Sequence, residues 1–314
     1  MTGGRQLETT PCRHRSGFVD EPSTYYEVFE PLEPSSLPPV LMITGGVHSG
    51  ACYLTTPDRR PGWAEDFLRR GHRVVLVDWP GVGRSGHVPP QDLTGRVIVA
   101  GLGKVIAAIG EPVVVLTHSI SGAFGWKLVE EHPGSIAALI GIAPASPGNM
   151  EAELGRLLRD EGNRKVVAMP SGHTVLDLDR TLVFPPEFHS AKLVGSSTRF
   201  PRDAADQYFR SLQGISGTVV FERTNIGGGQ LRVEDTSGFV GKRILVVTGT
   251  EDIDHPRELD AEVVDWLTAA GAAAEPLYLA DIGIEGNGHM MMLEDNSSEI
   301  AGVLMNWLEN TLTG

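Results

Sequence analysis

Four stretches of this chain carry the residue types that covalent catalysis needs. Ser119 lies in Val113-Val114-Val115-Leu116-Thr117-His118-Ser119-Ile120-Ser121-Gly122, where an apolar, mostly β-branched run ends in a turn and a helix-compatible stretch follows. Such a turn lifts a hydroxyl off the carboxyl edge of a sheet, beside a helix N-terminus that stabilises negative charge. The usual G-x-S-x-G pattern is altered, with Thr117 and Ser121 at the outer positions and Gly122 next. Thr117 is β-branched where a tight turn asks for a small residue, and a serine at a strand–helix junction also serves as a plain N-cap. His289 sits in the Gly-rich stretch Gly283–Met292, just before a last helical pattern. An imidazole can take a serine proton if a carboxylate holds its tautomer. Thr248–Asp254 follows another apolar run and offers Glu251, Asp252 and Asp254, among which spacing alone does not choose. Thr44–Gly50 also follows an apolar run. Its glycines let the N–H of Gly46 or Val47, with that of Ile120, face an oxyanion. Each loop alone reads as an ordinary turn. All four at strand ends, in the order Ser, acid, His, imply acyl chemistry on a serine hydroxyl.

Those loops need a sheet to hold them. Pro39–Thr44, Arg73–Trp79, Pro112–Thr117, Ile136–Ala143, Arg243–Thr248 and Pro276–Ala280 are short, rich in Val, Ile and Leu, and without strict alternation. Strands buried on both faces of a parallel sheet read this way. Helical patterns fall between them at Trp63–Arg70, Asp92–Ile109, Gly122–Glu131 and Arg257–Ala270, with Ser298–Thr311 last. The alternation predicts an α/β fold with a doubly wound, mainly parallel sheet. Phe18–Pro31 is expected to add one or two antiparallel edge strands. Residues 145–241 break the rhythm with a polar helix over Met150–Glu161, a Pro-containing stretch over Pro170–Pro186, a helix over Asp203–Leu212 and a Gly run at Gly227–Gly229. We read them as a helical cap inserted between core segments 1–144 and 242–314, since long insertions at a sheet edge are usually lids or binding elements.

The formal charge of −14 argues against nucleic acid and anionic membrane as partners. Met1–Ser16 is polar and lacks the apolar run of a signal peptide. Two cysteines, Cys12 and Cys52, do not suggest a disulfide framework, which favours a reduced, cytoplasmic protein. No Cys/His cluster has zinc-ligand spacing, so neither metal nor cofactor is expected.

With these residues in place, the chain resembles an α/β hydrolase from about Phe18 to Trp307. Asp78-Trp79-Pro80-Gly81-Val82-Gly83-Arg84-Ser85-Gly86 resembles the turn after that family's fourth strand. Thr55–Trp63 and Gly286-Asn287-Gly288-His289-Met290-Met291-Met292-Leu293-Glu294 resemble a branch of bacterial and fungal esterases of the Alcaligenes type, with lactonases as more distant relatives. The resemblance implies a small ester or lactone as substrate and a homodimer. Two departures stand out. Thr44 replaces the histidine that usually opens the oxyanion loop. That branch draws its acid from a Glu after the sixth strand, where this chain has Ile142-Ala143-Pro144-Ala145. The superfamily's commoner position, after the seventh strand, implies Asp252, with Asp254 and Glu251 behind it.

Rival readings remain. Gly81-x-Gly83-x-x-Gly86 matches a dinucleotide fingerprint by letter, but Pro89 and Pro90 follow it and Ala100–Ala107 holds no acid. His48 is expected to touch substrate or to pack in its loop. His118 lines the pocket or packs under the turn. His173 and His189 read as surface residues, with a pocket role as the alternative, while Phe184, Phe188 and Met169 offer a lid an apolar inner face. Other chemistry on the same Ser/His pair (C–C cleavage, decarboxylation, cyclisation) and ligand binding without turnover are the alternatives to hydrolysis.

Overall fold

Eight strands form one sheet in the order β1-β2-β4-β3-β5-β6-β12-β13 in the computed structural model, which describes residues 9–313. Strands β1 (Cys12–Val19) and β2 (Thr24–Pro31) form an antiparallel hairpin, and β2 runs antiparallel to β4 (Val74–Asp78). Then β3 (Val40–Ile43), β5 (Val113–His118) and β6 (Ile136–Ile142) pair in parallel. Every residue of β3, β4 and β5 is buried, as their unalternating apolar runs require. The first edge strand begins at Cys12, earlier than the expected Phe18; residues 1–8 of the polar N-terminal stretch lie outside the described residues.

Helices α1 (Trp63–Arg69), α2 (Gly95–Ile109) and α3 (Ser121–Glu131) fill the crossovers. The Thr94 hydroxyl caps α2, and Gly110, at φ +80°, ends it. Gly81, Gly83 and Gly86 form a turn after the buried Asp78 instead of opening a helix. A Cβ at Gly83 would come within 2.3 Å of Asp78 Oδ2, so the match to a nucleotide fingerprint is a tight turn.

The insertion corrects the expectation of a helical cap. Residues 150–161 form no helix; they run through irregular backbone into β7 (Arg156–Glu161), which pairs with β8 (Arg164–Met169), itself paired with β9 (Gly172–Asp177). Helix-forming side chains there lose to turn chemistry. Gly162, at φ +74°, closes a tight hairpin in which its N–H donates to Asp160 Oδ1, and a Cβ on Gly155 would strike the Ala168 carbonyl at 2.4 Å. Val167, Leu176 and Ile226 form a small core of their own under this sheet, against which Met169 packs. The Pro-containing stretch adds β10 (Thr181–Leu182), paired with β11 (Ile215–Ser216). Short helices α4 (Pro186–His189), α5 (Ala205–Ser211) and α6 (Gly217–Arg223) complete the insertion.

The chain then returns to the sheet with β12 (Arg243–Thr248), parallel to β6, then α7 (Arg257–Ala269), β13 (Ala273–Tyr278) and α8 (Ser297–Thr313). Among the described residues, no helix is long and apolar enough to cross a membrane.

Candidate active site

Ser119 stands between β5 and α3 at φ +55°, a conformation that a residue with a Cβ adopts only under constraint. Its N–H donates to Ile142 O at 3.0 Å, and its carbonyl accepts from Ala145 and Gly122, each at 2.8 Å. The β6–insertion junction therefore clamps the turn. A Cβ on Gly122 would lie 2.6 Å from Pro144 Cβ and 2.7 Å from Ala145 N, so glycine is required one place later than the usual pattern has it. Ser121 does a different job: its Oγ accepts from His118 N at 2.8 Å and sits 3.0 Å from Ile43 O, tying turn to β3. Thr117 fits because Gly125 faces it from α3; a Cβ there would meet Thr117 Cγ2 at 2.7 Å. The bulk missing from the helix has moved to the strand.

The three separated loops converge on this serine. Ser119 Oγ lies 2.9 Å from His289 Nε2, and His289 Nδ1 lies 2.7 Å from Asp252 Oδ2. A carboxylate can only accept, so Nδ1–H donates to it and Nε2 is left to accept the serine proton. Asp252 is buried, and burial alone would raise its pKa; His289, by charge and hydrogen bond, and then His255 hold it down to about 2. Asp254 is elsewhere engaged, ion-paired with Lys192, and Glu251 is not part of the chain of bonds. His118 takes the second of the two places read for it. It is buried under the turn, where its Nε2–H donates to the His289 carbonyl at 2.9 Å, and burial pushes its pKa well below the ordinary histidine range. It fixes the backbone of His289 and does not wall the cavity.

The Thr44–Gly50 loop lies over the turn. A Cβ on Gly45 would meet His118 Nδ1 at 2.7 Å and Ser119 Cβ at 3.0 Å. Val47 is held at φ +62°, and its carbonyl accepts from Gln213 N of the insertion at 2.8 Å. The N–H groups of Gly46, Val47 and Ile120 donate to no acceptor among the described residues. His48 Nδ1–H donates to Gly46 O at 2.7 Å, and its Nε2 accepts from Tyr208 at 3.0 Å. Burial lowers its pKa to about 4, which fits that neutral tautomer. It faces a different cavity of about 170 Å³, so its expected substrate contact is not made and it braces the loop instead.

Above Ser119 and His289 opens a cavity of about 350 Å³, also lined by Gly46, Val47 and Ile120. Phe184 and Phe188 form part of its wall, stacked with centroids 4.4 Å apart, as the lid reading expected. His189 lines it too and is buried, the pocket role given as the alternative to a surface place, whereas His173 is exposed on β9. Two polar pairs, Glu151–Arg223 at 2.7 Å within the insertion and Lys192 of the insertion with Asp254 of the β12–α7 loop, rim the cavity. Sequence reasoning missed His255, which lines the same cavity and bonds Asp260. The available signal was Asp260 itself, an acid on the apolar face set by Val263, Val264 and Leu267 of α7.

Asp252, His255 and His289 bring ligand atoms within 4.8 Å of one another, close enough to hold an ion. Their donors are already committed, however. Both nitrogens of His289, Nδ1 of His255 and both oxygens of Asp252 are in hydrogen bonds, and an ion would have to break the chain to Ser119. The arrangement fits proton transfer better than metal binding.

Glu294 anchors the histidine loop from behind. Fully buried, it accepts from Gly288 N at 2.9 Å, Asn287 Nδ2 at 2.6 Å and Ser197 Oγ at 2.5 Å, the last from the insertion.

A model of the Alpha/beta hydrolase family matches residues 40–303. A protein of Fungal sp. (strain ATCC 74256), named "Probable secreted lipase phiG", is 25% identical over 365 aligned residues, covering 96% of this chain and 90% of the relative. A novel bacterial esterase has the same fold at 17% identity, with a TM-score of 0.59 over 99% of both chains. So has the monoacylglycerol lipase of Paleococcus ferrophilus, at 15% identity and TM-score 0.57, over 96% of this chain and 99% of that one. From the family match over most of its length, and a sheet and serine turn of the same design, this chain belongs to the α/β hydrolase family.

Proposed function

We propose that this protein is a serine hydrolase of carboxylic esters or lactones. The observation that carries the reading is the unbroken chain Ser119–His289–Asp252 beneath a ligand-sized cavity. In this mechanism His289 takes the Ser119 proton as the hydroxyl attacks the carbonyl carbon. The N–H of Ile120, with that of Gly46 or Val47, holds the oxyanion. His289 then protonates the leaving alcohol, and water, activated by the same imidazole, releases the acid from the acyl-enzyme. Asp252 keeps Nδ1 protonated and stabilises the imidazolium. The lipase and esterase names of the relatives support this substrate class.

Segment 145–241 acts as the cap over cores 1–144 and 242–314. Its apolar wall and modest volume favour a small, largely apolar acyl group. Free Cys12 and Cys52 support a cytoplasmic protein, although the fungal relative is named secreted. Hydrolysis of 4-nitrophenyl butanoate and of a γ-lactone tests the reading. Ser119→Ala should lower turnover at least about a thousandfold; a variant as active as the parent overturns it.

A further inference from the structure

A second histidine–carboxylate pair lies against the first. His255 is buried, and its Nδ1–H donates to Asp260 Oδ1 at 3.0 Å. The other oxygen of Asp260 accepts from Thr248 Oγ1 at 2.6 Å, so the carboxylate is fixed from both sides. The His255 ring stacks on that of His289, with centroids 5.6 Å apart and planes inclined by 25°. Yet the ring makes no hydrogen bond to His289 or to Asp252; only the His255 backbone N–H reaches the Asp252 carbonyl, at 3.2 Å. It is a wall of the 350 Å³ cavity. With Nδ1 committed to Asp260, Nε2 is the ring nitrogen left for a ligand, and no group of the described residues bonds it.

Packing does not account for this pair. Burying a carboxylate and an imidazole is costly, and apolar residues of similar volume fill such a space at least as well. Support of the triad accounts for only part of it: His255 helps to hold the Asp252 pKa down, but both Asp252 oxygens are engaged by other donors, and that role leaves His255 Nε2 without a partner. The other cations at the cavity, Arg223 and Lys192, are matched by Glu151 and Asp254.

We propose that His255, oriented by Asp260, is a specificity residue whose Nε2–H binds a carboxylate carried by the ester substrate, one ring away from His289. The assignment rests on the ester-hydrolase reading above and narrows its substrates to esters with a free acid group. Asp260, then Asp252, lift the His255 pKa above the ordinary histidine value against burial, with Arg223 opposing them. When the ring is protonated, it donates through both nitrogens, Nδ1 to Asp260 and Nε2 to the cavity. Its other ionisable neighbours around the cavity are His289, His189, the Lys192–Asp254 pair and Glu151. A charge-assisted bond of this kind is worth about ten- to a hundredfold in kcat/KM.

The test compares three substrates: 4-nitrophenyl butanoate, 4-nitrophenyl hemiglutarate with its acid on the acyl side, and 3-carboxyphenyl butanoate with its acid on the alcohol side. One of the two acids should be preferred over the neutral ester. His255→Gln should cut that ratio ten- to a hundredfold, mostly through KM. In the parent the ratio should fall as pH rises through the His255 titration. Asp260→Asn should move that fall to lower pH. A ratio unchanged within threefold in His255→Gln, or no acid preference in the parent, overturns the inference. Calorimetric titration with glutarate supplies a readout that needs no turnover. Binding at least tenfold weaker in His255→Gln supports the assignment even in a protein that cleaves none of the three esters, an outcome that would defeat the hydrolase reading alone. Equal binding by parent and variant defeats the His255 assignment.

Discussion

Replacing Asp252 with asparagine exchanges one buried oxygen for an amide nitrogen at nearly constant shape. The two carboxylate oxygens have separate partners: Oδ2 faces His289 Nδ1 at 2.7 Å and Oδ1 faces Asp254 N at 3.1 Å. Both partners are donors. An asparagine must therefore aim its NH₂ at one of them, whichever way the amide is turned. If the NH₂ faces His289, the imidazole flips its proton to Nε2 and loses its power to accept from Ser119. If the NH₂ faces Asp254, a buried N–H is left unpaired, and His289 keeps only a neutral partner. Losing a charge-assisted bond costs about 1.5–3 kcal/mol, and stranding a buried donor about 1–3 kcal/mol. At about 1.4 kcal/mol per tenfold, the sum predicts a loss of about two to four orders of magnitude in kcat for 4-nitrophenyl butanoate. Asp254→Asn, which disturbs an ion pair with Lys192 at the cavity rim, should stay within about tenfold of the parent. A thermal midpoint for each variant confirms folding. The reasoning is refuted by Asp252→Asn turning over within tenfold of the parent while Asp254→Asn collapses.

Gly122→Ala should lower stability by about 1–3 kcal/mol and reduce turnover, because its methyl would sit 2.6 Å from Pro144 Cβ and displace the serine turn; denaturant melts and kcat together check this. Glu222, on α6, accepts from Gly95 N at the start of α2, and burial raises its pKa from 4.5 to about 7. An acid whose folded pKa is raised binds a proton on folding, so wild-type stability should fall as pH rises between those values. Glu222→Gln should flatten that slope and be more stable at pH 8 by on the order of 1–2 kcal/mol after solvent screening, read from urea titrations across pH. Glu294→Gln puts an NH₂ against one of three donors and should cost about 1–3 kcal/mol, lowering the melting temperature by several degrees.

Legibility in the sequence followed the range of each interaction. The parallel strands announced themselves because burial on both faces leaves unbroken apolar runs such as Val113–Leu116. Ser119 and His289 were legible because each lies in a loop that follows a core strand, whereas Asp252 was singled out from Glu251 and Asp254 by the family resemblance. The altered outer residues of the serine turn were legible only as an anomaly. That Thr117 is matched by Gly125, and Gly122 by Pro144, depends on which surfaces meet after folding. The cap misled because Met150–Glu161 has good helix formers, whereas a left-handed Gly162 and a close-packed Gly155 set its strands. His118, His48 and His189 were ambiguous for a plain reason: a lone histidine does not say which way it faces.

The central claim is that Ser119 is an activated nucleophile. Incubation with a fluorophosphonate, followed by intact-mass and peptide mapping, tests it most directly. The account predicts one adduct, on Ser119, absent from Ser119→Ala and formed far more slowly in His289→Ala. Labelling of the parent no greater than that of Ser119→Ala would contradict it.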